Sequence, residues 1–218
     1  MEPDFWHDRW QQGQIGFHQD QINDYLVRNW ERVQAPAGSR VLVPLAGKSL
    51  DMLWLRDQGH QVMGVEVSPL AVDAFFEENG IAAVEEQDGP FRRKRGDGVE
   101  LWCGDFFDLT PEHTQDLGGV YDRASLIALP PSMRERYARH LAELLPTGTR
   151  VLLITFEYPQ AEMDGPPFSV SEEEVNDLYR DTFTVECLER FDALAANARF
   201  QERGLTSLYE KNFLLTRL

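Results

Sequence analysis

The sequence predicts an open, doubly wound, three-layer α/β sandwich with a mostly parallel sheet. Short apolar runs alternate with helical stretches of roughly ten residues, the pattern of βα units. The chain ends on two strand-like runs with no helix between them, so an antiparallel pair at one edge is required. Its 218 residues, 42% apolar, hold no internal repeat, low-complexity tract or linker, so one domain over residues 1–218 is expected.

The first 33 residues are aromatic and polar. Phe5, Trp6, Arg9 and Trp10 fit one side of a short helix, and Ile22, Tyr25, Leu26 and Trp30 fit a second. Pro36-Ala37-Gly38 then breaks the chain. Arg40 to Leu45 reads as a buried strand, Ala46 to Ser49 as a turn, and Leu50 to Gln58 as a helix stopped by Gly59. Val62 to Val67 is the second strand. Ser68-Pro69 gives an N-cap and a first-turn proline to a helix that runs to Asn79-Gly80. Val99 to Cys103 is the third strand, entered through the turn Gly96-Asp97-Gly98, and Tyr121 to Leu129 is the fourth. Ser132 and Glu135 form a capping box ahead of Met133, Tyr137, Leu141, Leu144 and Leu145 on one helical face. Arg150 to Tyr158 is the fifth strand. Ser171 and Glu174 form a second box, opening a helix to about residue 181. Thr184 to Phe191 and Ser207 to Leu218 complete seven strand-like runs.

Charge narrows the partners. With 21 Lys and Arg against 37 Asp and Glu, the formal charge is −16, which disfavours nucleic acid and anionic membrane surfaces and leaves a small-molecule ligand. No apolar run is long enough to span a bilayer. Met1-Glu2-Pro3-Asp4 is acidic, without the apolar stretch of a signal peptide. Two lone cysteines, Cys103 and Cys187, fit a reducing, cytoplasmic setting. No His or Cys spacing suits a metal, so none is expected. Arg92-Arg93-Lys94-Arg95 is either an anion-binding patch or a solvated hairpin flank, and the acidic surroundings favour the flank.

In doubly wound sheets the ligand lies beyond the carboxyl ends of the strands, at the switch point. After strand one, Gly47-Lys48-Ser49 looks like the tail of a phosphate-binding loop, but Leu42 stands where that loop needs its first glycine. A turn with one glycine cannot cradle a pyrophosphate closely, which points to a nucleoside ligand without one. Glu66 ends strand two, 21 residues past Leu45, the spacing of a carboxylate that accepts from a ribose hydroxyl pair. Its bland alternative is a solvated strand-end carboxylate or a helix-dipole partner. Asp105 and Phe106 fit a base amino group and its ring, or equally a turn cap and a core aromatic. Arg123 interrupts an apolar strand, so it faces a cleft or an ion-pair partner such as Asp122 or Asp105. Trp10 and Phe17 are either core or a water-excluding cover.

Taken together these residues resemble the thiopurine S-methyltransferase family. The N-terminal signature is Phe5-Trp6-x-x-Arg9-Trp10-x-x-Gly13-x-x-Gly16-Phe17-His18-Gln19, and Pro44 to Leu55 is similar to the family's altered first motif. Gly59-His60-x-Val62-x-Gly64-Val65-Glu66, Asp122-Arg123, Gly165-Pro166-Pro167-Phe168 and Tyr209-Glu210-Lys211-x-x-x-Leu214-Leu215-Thr216 extend the likeness along the whole chain. The resemblance implies a class I, Rossmann-like methyltransferase fold, with seven strands and one antiparallel edge strand. It also implies methyl transfer from S-adenosylmethionine to the sulfur of aromatic and heterocyclic thiols, with selenium and tellurium compounds linked to bacterial members. Trp10, Leu45, Glu66, Asp105, Phe106 and Arg123 carry over as cofactor positions. Phe17 carries over as substrate-facing, and Arg199 as a substrate-side arginine once a gap is placed in 193–203, where the chain departs from the vertebrate pattern. Arg123 and Arg199 are then the candidates to favour a substrate thiolate. Residues 1–36 are expected to cover the site of a monomer. The alternatives are a nicotinamide-dependent oxidoreductase sharing Glu66, and a binding protein without catalysis.

Overall fold

The structure, a computed structural model, describes residues 3–218, so Met1-Glu2 of the acidic start lies outside the described residues. Contacts divide the chain into two units, one running to Tyr121 and the other Asp122–Leu218.

The first unit opens with α1 (Pro3–Gln11) and α2 (Asp24–Val33). Asn23 caps α2, its side-chain oxygen accepting from the backbone N–H groups of Tyr25 and Leu26. Then follow β1 (Arg40–Val43), α3 (Asp51–Asp57), β2 (Gln61–Glu66), α4 (Pro69–Glu78), β3 (Val84–Asp88), β4 (Phe91–Gly96), β5 (Val99–Cys103), α5 (Pro111–Thr114) and β6 (Leu117–Arg123). Val41, Leu42, Val62 and Met63 are at most 2% exposed, as parallel strands covered on both faces require. β1 pairs in parallel with β2, β2 with β5, and β1 on its other side with β6. The chain therefore builds outward from β1 to β2 and β5, then returns to the far side of β1 as β6. That reversal sets the switch point at the carboxyl end of β1. Gly64 in β2 permits the close approach of neighbouring layers: a Cβ there would sit 2.3 Å from Leu101 and 2.9 Å from the Met52 sulfur.

Two expectations need correction in this unit. The strand count rises from seven to nine among the described residues, because β3 and β4 form an antiparallel hairpin joined to β5. The cationic run is the expected hairpin flank before Gly96-Asp97-Gly98, and it is itself a strand, antiparallel to β5. Arg92 pairs with Asp73 and Glu85, Arg93 with Asp88 and Glu100, and Lys94 with Asp73. Cross-strand ion pairs, plus the Arg93 guanidinium 4.4 Å from the Trp102 ring, replace the apolar alternation a strand normally shows. The fourth strand also begins earlier than expected and stops at Arg123. Ala124 takes a left-handed φ of 72° and Ser125 begins a helix, so 125–128 leave the strand.

In the second unit, β6 ends in Asp122-Arg123 and is followed by α6 (Ser125–Ala128), α7 (Pro131–Leu144), β7 (Arg150–Glu157), α8 (Glu172–Tyr179), β8 (Phe183–Asp192), α9 (Ala198–Glu202) and β9 (Tyr209–Arg217). β9 lies between β7 and β8, antiparallel to both, as expected, although the short helix α9 stands between β8 and β9 where no helix was expected. Ser171 caps α8 as expected, accepting from the Glu174 N–H at 3.1 Å. The box at Ser132 does not form: α7 starts two residues earlier than that cap implies, on Pro131, whose ring presets the first helical φ. The mixed α/β class stands, enlarged by the hairpin.

Candidate functional site

Three carboxyl ends meet in the first unit. Past β1 the chain turns through Pro44 to Ser49, with Leu45 at φ 47° and Gly47 at φ 55°. A left-handed leucine costs about 1 kcal/mol or more and persists only where its surroundings hold it. Ala46 N–H donates to the Val65 carbonyl at 2.8 Å, tying the turn to β2. Lys48 does not face an anion site, since its Nζ binds both carboxylate oxygens of Glu78 at 2.6 and 2.7 Å.

Glu66 ends β2 beside this turn and is 6% exposed. The Gly47 N–H donates to its Oε2 and the Ser68 N–H to its Oε1, each at 2.8 Å. A carboxylate offers about four acceptor positions, so acceptor capacity remains after these bonds. Burial pushes the carboxyl above its ordinary value, opposed by the backbone of Ser68 and Gly47, by nearby His7 and by the backbone of Val67. The Ser68 hydroxyl does not cap α4, but Pro69 occupies its first turn as expected. Such a pair of adjacent, oriented acceptors fits a vicinal diol, and the single-glycine turn with its lysine engaged elsewhere fits a nucleoside without a pyrophosphate.

The aromatic segment packs over the same turn. A Cβ on Gly47 would lie 3.5 Å from the Trp10 ring, and Trp10 meets Phe17 edge to face with centroids 5.6 Å apart. Phe17 also meets Trp6, and Trp6 meets Phe5, in the same edge-to-face manner. Phe17 stays 36% exposed, and α1 buries none of its described residues, so this segment lies on the unit rather than within its core. Beyond β5, Asp105 caps a short 3-10 turn, accepting from the Phe107 N–H at 2.9 Å, and the Phe106 ring is 5% exposed. Both residues stand at the strand end expected of them while also filling their structural roles.

Arg123 and Arg199 belong to the second unit. Arg123 is the last residue of β6, so it stands at a strand end rather than inside an apolar strand. Its neighbour Asp122 is completely buried, receives the Tyr137 hydroxyl at 2.6 Å and bonds with Ser125. Burial lifts the Asp122 carboxyl to about 6 against those donors. Arg199 lies on α9 with its guanidinium 4.6 Å from the Phe200 ring. Phe200 itself is packed with Tyr158, Leu205 and Leu208. Desolvation, and then the like charge of Arg203, pull the Arg199 guanidinium below its usual range.

Sequence reasoning missed the donors around Glu66 because backbone N–H groups carry no residue signature. It also missed His7, whose position three residues before Trp10 on one helix face was the available signal.

Comparison with known proteins accords with this arrangement. The family model Thiopurine S-methyltransferase (TPMT) matches residues 1–218. A thiopurine S-methyltransferase of Nitrosospira multiformis is 53% identical over 215 residues, covering 99% of this chain and 98% of that protein. One from Pseudomonas aeruginosa is 53% identical over 217 residues and covers both chains completely. Among solved structures, a Burkholderia thailandensis 1,6-didemethyltoxoflavin-N1-methyltransferase with bound S-adenosylhomocysteine shares the fold. Its TM-score is 0.63 at 17% identity, covering 99% of this chain and 86% of that one. A TehB-like S-adenosylmethionine-dependent methyltransferase of Corynebacterium glutamicum does so at 0.59 and 15%, covering 99% and 98%. These matches set aside the oxidoreductase alternative. A family model matched from end to end, and relatives identical at more than half their positions, make this chain a member of the thiopurine S-methyltransferase family.

Proposed function

We propose that the chain transfers a methyl group from S-adenosylmethionine to the sulfur of aromatic and heterocyclic thiols, thiopurines among them, with Glu66 holding the cofactor ribose. The carrying observation is the Glu66 carboxylate: it is nearly buried, fixed by backbone donors from the turn and the start of α4, and left with acceptor capacity. Trp10 and Leu45 line the methionine end, Asp105 and Phe106 flank the adenine, and Phe17 faces the substrate.

When bound, the cofactor supplies a methyl group already activated by a sulfonium, so the protein's task is placement and exclusion of water. Holding reacting groups in near-attack geometry is worth roughly 7–11 kcal/mol. The substrate thiol's proton would pass to solvent, and the cofactor, held by Glu66, Trp10, Leu45, Asp105 and Phe106, would supply the methyl group to the thiolate sulfur. Arg123 and Arg199 favour the thiolate by charge, and desolvation strengthens both fields. Residues 1–36 cover the site, supported by the Trp10–Gly47 contact. The chain acts as one catalytic domain, monomeric and cytoplasmic. That reading is supported by two free cysteines.

Glu66→Ala is expected to weaken S-adenosylmethionine binding by about 1.5–3 kcal/mol, the worth of a charge-assisted contact; unchanged affinity by calorimetry would refute the ribose role. Arg123→Ala is expected to lower kcat/KM for a thiopurine about tenfold or more, since losing one cation from a desolvated anion site costs at least 1.4 kcal/mol. Wild-type kinetics across pH would remove Arg123 from the mechanism. A panel of thiopurines, thiophenols, selenite and tellurite, read by transfer of labelled methyl, fixes the acceptor range and tests selenium and tellurium methylation together with the binding-only alternative.

A further inference from the structure

The N-terminal helix touches the end of β2 through a polar bond that the methyl-transfer reading does not use. His7 Nε2 lies 3.0 Å from the backbone carbonyl of Val67, the residue after Glu66. A carbonyl only accepts, so the ring must present N–H at Nε2, which both the neutral Nε2–H tautomer and the imidazolium do. The same carbonyl lies 3.8 Å from the Cys103 sulfur, in the strand-end residue paired with Glu66 across β2 and β5. Burial raises the Cys103 thiol, keeping S–H available as a second, weak donor. Val67 thus joins three elements of the first unit: α1 through His7, β5 through Cys103, and β2 as the residue that follows Glu66.

We propose that His7 is a positioning residue for cofactor retention: its Nε2–H bond to Val67 latches α1, and with it Trp10, against the β1 turn and the Glu66 carboxylate. Three observations carry it. No described residue of α1 is buried, so packing alone holds the helix weakly and one directional bond matters more. His7 and Trp10 are three apart and share a helix face, so fixing one places the other over Gly47. His7 also lies within electrostatic reach of Glu66, so latch and carboxylate act on one spot. Release of a nucleoside held under Trp10 then requires the bond to break, as lid opening commonly limits release.

The role in retention rests on the reading of Glu66 and Trp10 as cofactor residues, and the experiment separates the two. Full-length wild type, His7→Ala, His7→Phe and His7→Gln are compared without ligand by amide hydrogen exchange of residues 3–11, and with S-adenosylhomocysteine by its dissociation rate. The glutamine amide extends about as far as the ring Nε2 and also donates. His7→Ala and His7→Phe are expected to exchange residues 3–11 and release S-adenosylhomocysteine about fivefold to tenfold faster than wild type, the worth of one net hydrogen bond. His7→Gln is expected to stay within about threefold of wild type on both. Wild-type exchange in His7→Ala, equal defects in His7→Ala and His7→Gln, or faster exchange with unchanged release would each overturn the proposal. Unchanged affinity in Glu66→Ala would instead strike the ribose reading and leave the exchange result standing.

Discussion

Glu66 and Asp122 are both buried carboxylates at strand ends, one in each unit, and burial raises both. Their surroundings differ in one respect that separates a binding group from a structural one. Glu66 is held by rigid backbone N–H groups from a turn and a helix start, and a sliver of it remains open. Asp122 is held by the side chains of Tyr137 and Ser125 as well as by the Ser125 backbone, and is wholly closed. Backbone donors fix a carboxylate without filling the space in front of it, whereas side-chain donors fill that space. The contrast therefore predicts that Asp122 sets stability and Glu66 sets affinity.

The largest effect tests Asp122. Asp122→Ala strands the Tyr137 hydroxyl and the Ser125 donors in a dry interior, which costs about 3 kcal/mol or more in unfolding free energy by denaturant titration. The comparison breaks if Asp122→Ala keeps wild-type stability. A second check uses pH. Asp122 stands at about 6 when folded against its ordinary value of 3.8, so the folded chain holds this proton more tightly. Its stabilising contribution is complete below about 3.8 and is lost as pH rises through about 6, a change on the order of 3 kcal/mol. Stability curves of wild type and Asp122→Asn should therefore separate across that window and run parallel above it; curves parallel throughout would return Asp122 to ordinary behaviour. Next comes Glu66→Ala, with its loss of about 1.5–3 kcal/mol in cofactor affinity and a nearly unchanged denaturation midpoint. The smallest effect sharpens the affinity side. Protonation removes an acceptor from Glu66, so S-adenosylmethionine affinity is expected to fall on acidification already above the ordinary carboxylate range, by up to the worth of that contact. A Glu66→Gln variant should lack this step.

The same contrast explains what was readable in the residues themselves. Val41 to Val43 and Val62 to Val65 announced buried parallel strands because both their faces are covered, and Glu66 followed from its distance to Leu45. The β3–β4 hairpin was hidden because Arg92, Arg93 and Lys94 satisfy their charges on Asp73, Glu85, Asp88 and Glu100, and neither strand carries apolar alternation. The end of β6 was misplaced because Leu126, Ile127 and Leu129 are as apolar as a strand, while the break comes from the left-handed backbone of Ala124. Asp51 gave no sign of its task, yet it is 1% exposed and accepts from the Tyr121 hydroxyl at 2.9 Å and the Asn23 N–H at 2.8 Å. Such partners lie 70 and 28 residues away, beyond any local pattern. His7 was hidden likewise, because its acceptor is a main-chain carbonyl 60 residues distant.

The left-handed backbone at Leu45, joined to the place proposed for it in the cofactor site, sets heat resistance against turnover at one residue. Asparagine or glycine adopts φ 47° with less strain, relieving about 1 kcal/mol. A library selected only for surviving heat is therefore expected to enrich Leu45→Asn and Leu45→Gly, while a library selected for methyl transfer keeps the leucine and its apolar side chain. Sequencing the two survivor pools would show whether this turn is where the chain has given up durability for activity.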